Sequence, residues 1–161
     1  MQRIAPRHPG YDYGYGFGTN VYAAEGGEIV TGGNADDCSA VGLNVAAFYM
    51  KHRHALIIKH TNDYCTVYMH LSEIDSKFAD TSDPLFWKPK AAPISKGDRL
   101  GKIGKFLTNC AGEDKSSGYH LHFEVWRKEG SKWFFADPYG YQWGNGSNLK
   151  VITPYLWTQF R

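Results

Sequence analysis

Short runs rich in β-branched and aromatic residues recur along this chain, bounded by Gly, Asn, Asp, Ser or Pro, and no 3.6-residue apolar period persists over a long segment. The pattern predicts strands over Asn20–Ala24, Glu28–Val30, Ala55–His60, Tyr64–His70, Arg99–Ile103, Tyr119–Arg127 and Lys132–Ala136. Leu43–Met50 fits a strand or a short helix equally well. Ser72–Lys90 is of mixed polarity, carries Pro84 and Pro89, and reads as a long excursion with one helical turn. Ser95-Lys96-Gly97-Asp98 is a turn leading into a strand. Beyond Pro138 the pattern becomes irregular, with an apolar patch at Tyr155–Trp157 expected to pack back on the core. The class is therefore mostly β. With no internal repeat or low-complexity linker, residues 1–161 read as one domain.

Composition strengthens this picture and removes several functions. Aromatic residues at 16% and 18 glycines favour strands and tight turns. Hydrophobic residues at 42% and charged residues at 21% are ordinary for a globular chain. A net charge of +2, with no block of like charges, argues against a nucleic-acid partner and a polybasic membrane anchor. The longest apolar stretches, Val45–Met50 and Ala55–Ile58, fall far short of the ~20 residues that span a bilayer. Cys38, Cys65 and Cys110 allow at most one disulfide, and whether Cys38 pairs with Cys110 stays open. None lies in a C-x-x-C pair, which disfavours a zinc ribbon or a thioredoxin-type site. Met1–Gly10 lacks the apolar centre of a signal peptide.

The histidines carry the chemistry. In Tyr119-His120-Leu121-His122-Phe123-Glu124-Val125 the flanks read as a strand, so His120 and His122 leave the same face with Cα atoms ~6.6 Å apart. Two imidazoles so placed suit a metal site, or one ligand plus one acid–base group. In Thr66-Val67-Tyr68-Met69-His70, alternation sets Thr66, Tyr68 and His70 on one face, with His70 at the strand exit. His8 and Asp12 lie on a stretch that Pro9 and Gly10 keep from being helical. An imidazole and a carboxylate from here, with one imidazole from the later strand, make three protein ligands and leave a fourth position for water. The pair His52 and His54 has the same spacing, but Lys51 and Arg53 make its surroundings cationic, and it reads as an exposed strand entrance. His60 either supports the site from behind or caps a turn before Asn62-Asp63. Gly14, Gly16 and Gly18 fail as a dinucleotide fingerprint, because no apolar strand precedes them and no helix follows.

Taken in order, these segments resemble the zinc metallopeptidases of the lysostaphin/LytM type, peptidase family M23. His8-x-Gly10-x-Asp12 is similar to the family's H-x-G-x-D. Gly18-Thr19-x-Val21-x-Ala23, Ile57-Ile58-x-His60, Thr66-x-Tyr68-x-His70-Leu71-Ser72 and Gly97-Asp98-x-Leu100-Gly101-x-Ile103-Gly104 resemble its successive strands. Gly118-x-His120-Leu121-His122-Phe123-Glu124 resembles its H-x-H strand, and Asp137-Pro138 its usual ending. The resemblance runs from about residue 8 to 138, with 139–161 as a tail. It implies a small antiparallel β-sheet with a substrate groove, of the duplicated-hybrid type. It also implies one Zn²⁺ per chain held by His8, Asp12 and His122, with His70 and His120 catalytic. The implied substrate is peptidoglycan, cut at a peptide bond by a monomeric enzyme outside the cytoplasm. The sequence departs from the family where Tyr119 stands in a place often held by Pro, and where Gly32–Met50 and Glu73–Pro93 run longer than the usual loops. Two other readings compete: a non-catalytic wall-binding or amidase-activating module on the same fold, and a zinc peptidase acting on a non-wall peptide.

Overall fold

The structure is a computed structural model that describes residues 10–30, 55–61, 63–80, 88–104, 118–130, 132–136, 141–142 and 150–151. These contain strands and no helix. The strands are β1 (Tyr11–Tyr13), β2 (Asn20–Tyr22), β3 (Gly27–Ile29), β4 (Leu56–Lys59), β5 (Tyr64–Met69), β6 (Leu71–Ile74) and β7 (Ala79–Asp80). They continue as β8 (Lys88–Pro89), β9 (Pro93–Ile94), β10 (Arg99–Ile103), β11 (Leu121–Glu129), β12 (Lys132–Ala136), β13 (Tyr141–Gln142) and β14 (Lys150–Val151).

A seven-stranded antiparallel sheet runs β1-β11-β5-β4-β3-β9, with β12 also paired to β11. The nine-residue β11 is its spine. One edge pairs with β5 along His122–Arg127, while the other pairs first with β1 and then with β12. A smaller sheet, β2-β10-β6, lies against it. The main core fills the space between the two: Leu56, Ile58, Tyr68, Phe123 and Val125 from the large sheet meet Val21, Leu71, Ile74, Leu100 and Ile103 from the small one. A second cluster, with Ile57, Cys65, Val67, Met69, Trp126 and Trp133, occupies the opposite face of the large sheet. Strands β4 and β5 are thus buried on both faces, which is why Leu56-Ile57-Ile58 and Val67-Tyr68-Met69 show no polar alternation. Cys65 is disulfide-bonded; the pairing raised from the sequence joined Cys38 and Cys110, which lie outside the described residues.

Three expectations change. Tyr11–Tyr13, which is not among the predicted strands, is a strand, because three residues suffice once Tyr11, Asp12 and Tyr13 pair with Phe123, His122 and Leu121. Ser72–Lys90 holds no helical turn among its described residues. Its first residues belong to β6, a turn closes with the Phe78 amide donating to the Asp75 carbonyl at 2.9 Å, and β7 pairs with β8. Ile74, Phe78 and Ala79 are buried in the main core, so this segment is anchored at its start. Finally, β5 stops at Met69 and leaves out His70. Leu43–Met50, His52, His54 and Tyr155–Trp157 lie outside the described residues.

Candidate functional site

The site forms where β1, β11 and the exit of β5 come together. Asp12 stands directly opposite His122 in the β1–β11 register, and facing residues of an antiparallel pair project from the same side. Asp12 Oδ1 consequently lies 2.8 Å from His122 Nδ1 and 3.6 Å from His120 Nε2. Both histidines are buried, His122 within β11 and His120 just ahead of Leu121, where the strand begins.

His70 reaches the cluster by a different route. Strict alternation would send it to the Tyr68 side, facing Phe123 and away from His122. Its φ of +64° ends the alternation. Its ring lies 4.8 Å from that of His120 and 6.0 Å from that of His122, edge-on to both. The expectation that His70 shares a face with Thr66 and Tyr68 is therefore corrected, and the correction puts it in the site. A left-handed backbone costs a non-glycine residue roughly 1–2 kcal/mol, and such strain gathers where function needs a particular side-chain position.

His60 stays away. Its ring nitrogens contact the Gly26 carbonyl at 2.7 Å and Thr66 Oγ1 at 2.9 Å. It flanks the Tyr64 end of β5, whereas His70 follows the Met69 end, about 20 Å along an extended strand. Burial holds its pKa below the usual imidazole value, against the opposing influence of the Gly26 hydrogen bond and Glu25. The neighbouring Tyr68 hydroxyl accepts from the Ala24 amide, and burial pushes its pKa up to about 12. His60 thus ties the β2–β3 connection to the β4–β5 hairpin and does not support the site.

Two residues absent from the predicted set stand behind His122. Glu124 Oε1 lies 2.9 Å from His122 Nε2, and the Trp126 indole donates to Glu124 Oε2 at 2.7 Å. Glu124 and Trp126 are fully buried. The signal was in the sequence: positions 122, 124 and 126 share one strand face. Burial works to lower the His122 pKa, but the hydrogen bonds to Asp12 and Glu124 outweigh it and the value is raised. Gly10 passes directly over this contact. A Cβ there would sit 2.6 Å from the Phe123 carbonyl oxygen, 2.8 Å from His122 Nε2 and 2.9 Å from Glu124 Cγ. That explains physically why a glycine must lie two residues before Asp12.

Of the predicted metal ligands, Asp12 and His122 meet, and His8 lies outside the described residues. Among the described residues no group of three His, Cys, Asp or Glu donors closes on one point. A carboxylate oxygen and an imidazole nitrogen facing one another at 2.8 Å must share a proton or a cation. One oxygen and one nitrogen donor of this kind fit zinc. Beside the site, Phe17 and Tyr119 expose their rings to solvent with centroids 5.3 Å apart.

Fold and site together define an antiparallel β protein in which a carboxylate and three histidines meet at the ends of its central strands. The chain belongs to peptidase family M23, which its sequence matches over residues 6–133. It is 30% identical over 124 residues to the peptidoglycan DD-endopeptidase ShyA of Vibrio cholerae, an alignment covering 77% of this chain and 21% of that protein. The chain thus spans about a fifth of that relative's length. The fold is similar to that of lysostaphin from Staphylococcus simulans, with a TM-score of 0.51 and 21% identity over 81% of this chain and 41% of that one. It is equally similar to LytU, with a TM-score of 0.51 and 19% identity over 82% of this chain and 70% of that one.

Proposed function

We propose that the chain is a zinc-dependent endopeptidase that hydrolyses peptide bonds in bacterial peptidoglycan. The observation that carries this reading is the convergence of Asp12 and His122 beside the edge-on rings of His70 and His120. Family membership and the DD-endopeptidase relative support it. His8, Asp12 and His122 would hold the zinc, one per chain, and the whole of residues 1–161 would form one monomeric domain working outside the cytoplasm.

When bound, zinc polarises a scissile carbonyl and lowers the pKa of its water towards ~7. The remaining work falls to this chain's side chains. No H-E-x-x-H glutamate exists here, so His70 and His120 handle protons. Imidazole is the side chain best suited to passing protons near neutral pH. One of the pair takes a proton from the attacking water. The other donates to the developing oxyanion or the leaving amine. The exposed rings of Phe17 and Tyr119 offer contact area for an extended substrate.

The test is incubation of the zinc-loaded protein with isolated peptidoglycan, followed by a search for new amino termini. Their appearance, and their absence with the metal-stripped protein, is the expected result. Tight binding to the wall without new termini would instead identify a non-catalytic module.

A further inference from the structure

The side chains of His122, Glu124 and Trp126 form a buried hydrogen-bonded row on one face of β11. Glu124 is deeply buried, and a carboxylate in such a place needs partners for both oxygens. It has them: Oε1 faces His122 Nε2 and Oε2 accepts from the Trp126 indole. The indole is a donor only, so Oε2 is committed to it. Oε1 then holds a proton on His122 Nε2. A neutral His122 keeps its proton there, because the Glu124 side chain is fully enclosed, whereas 18% of the Asp12 side chain is exposed and can turn to water when no cation fills the 2.8 Å gap to Nδ1. Metal-binding histidines in general keep their tautomer and aim through such a bond to the remote nitrogen.

We infer that Glu124, itself held by Trp126, is a positioning residue that sets the tautomer and direction of His122 for metal binding. The inference deepens the proposed zinc reading and rests on it for the identity of the metal. The hydrogen-bonded row itself does not. Glu124→Gln is the informative change, since it keeps the size and removes one acceptor. The amide has one oxygen where the carboxylate turns a separate oxygen to each of His122 and Trp126. If it turns to Trp126, the amide N–H₂ faces His122, and Nε2 must then become the acceptor. The His122 proton moves to Nδ1, where it blocks the metal side.

Two measurements are made on wild type, Glu124→Gln and Trp126→Phe, each first checked for native circular dichroism. The first is zinc affinity by competition with a chelator. A loss of about 10–100-fold is expected for Glu124→Gln, with a smaller loss for Trp126→Phe. The second is nitrogen-15 NMR of the metal-free protein at one fixed, mildly alkaline pH. There His122 should carry its proton on Nε2 in wild type and on Nδ1 in Glu124→Gln. A role confined to stability would lower the melting temperature and leave both readouts of the folded protein unchanged. Unchanged affinity together with an unchanged tautomer in Glu124→Gln overturns the inference. If Glu124→Gln does not fold, wild-type affinity in folded Trp126→Phe overturns the part played by Trp126, and an Nδ1–H tautomer in wild type overturns the whole. A wild-type protein that binds no zinc, yet shows the expected tautomer switch, sinks the zinc reading and leaves the positioning role standing.

Discussion

Gly10 and His60 show how single side chains, or the lack of one, set this architecture. Gly10 has no room for a methyl group, since three atoms of Phe123, His122 and Glu124 would lie within 2.9 Å of it. Gly10→Ala should push β1 away from β11, cost about 1–3 kcal/mol as overpacking does, and lower zinc affinity by separating Asp12 from His122. Urea unfolding and a zinc titration check this; full stability with full affinity would contradict it. At His60 the prediction concerns pH. Burial lowers its folded-state pKa, so the unfolded chain takes up a proton before the folded one does. The stability it contributes is complete above the unperturbed pKa of ~6.5. That stability is lost as pH falls below this value and through the lowered folded-state value. Melting temperatures should fall more steeply across this acid range for wild type than for His60→Gln. Parallel curves would show that His60 titrates alike in both states.

The strands were the most legible elements. Apolar runs at Ala55–Ile58 and Tyr64–Met69, and the His120-x-His122 alternation, reported their burial directly, because burial is what selects those residues. β1 was illegible, since three residues carry too little pattern and their pairing with β11 supplies the order. His70 was read onto the wrong face because alternation assumes extended backbone, and a φ of +64° breaks it. The row from His122 to Trp126 was within reach of the same alternation, but a buried glutamate reads as surface until its partners are known. The strained exit of β5 makes its own prediction. Asn visits the left-handed region readily, since its short amide bonds locally, so His70→Asn should fold with little or no loss of stability while turnover falls about 10²–10⁴-fold. Near-normal turnover would remove His70 from the chemistry. Glu73–Pro93 also needs care, because it begins inside the core. Phe78→Ala should cost roughly 3–5 kcal/mol. Shortening only residues 81–87 should leave stability and zinc content intact and change which peptides are cut. An unaltered cleavage profile would mark that stretch as a surface insertion.

At the scale of the whole molecule, two sheets clamp a core, and the longest strand of the larger one carries His122, with His120 just ahead of its first residue. His122 is opposite Asp12 and backed by Glu124, while His120, two residues earlier, meets the His70 ring edge-on. The central proposal is a division of labour among these three: His122 would hold the metal, and His120 and His70 would move protons. Such a division predicts that zinc content and turnover respond differently to three similar substitutions. The measurement is zinc by elemental analysis, paired with turnover on a wall peptide, for wild type, His70→Ala, His120→Ala and His122→Ala. Wild type should carry one zinc per chain. His122→Ala should lose most of it, while His70→Ala and His120→Ala should retain it. In those two kcat should drop about 10²–10⁴-fold, with far smaller changes in KM, since the lost contacts matter mainly in the transition state. A His120→Ala protein stripped of zinc, or a His122→Ala protein that keeps it in full, would contradict the account.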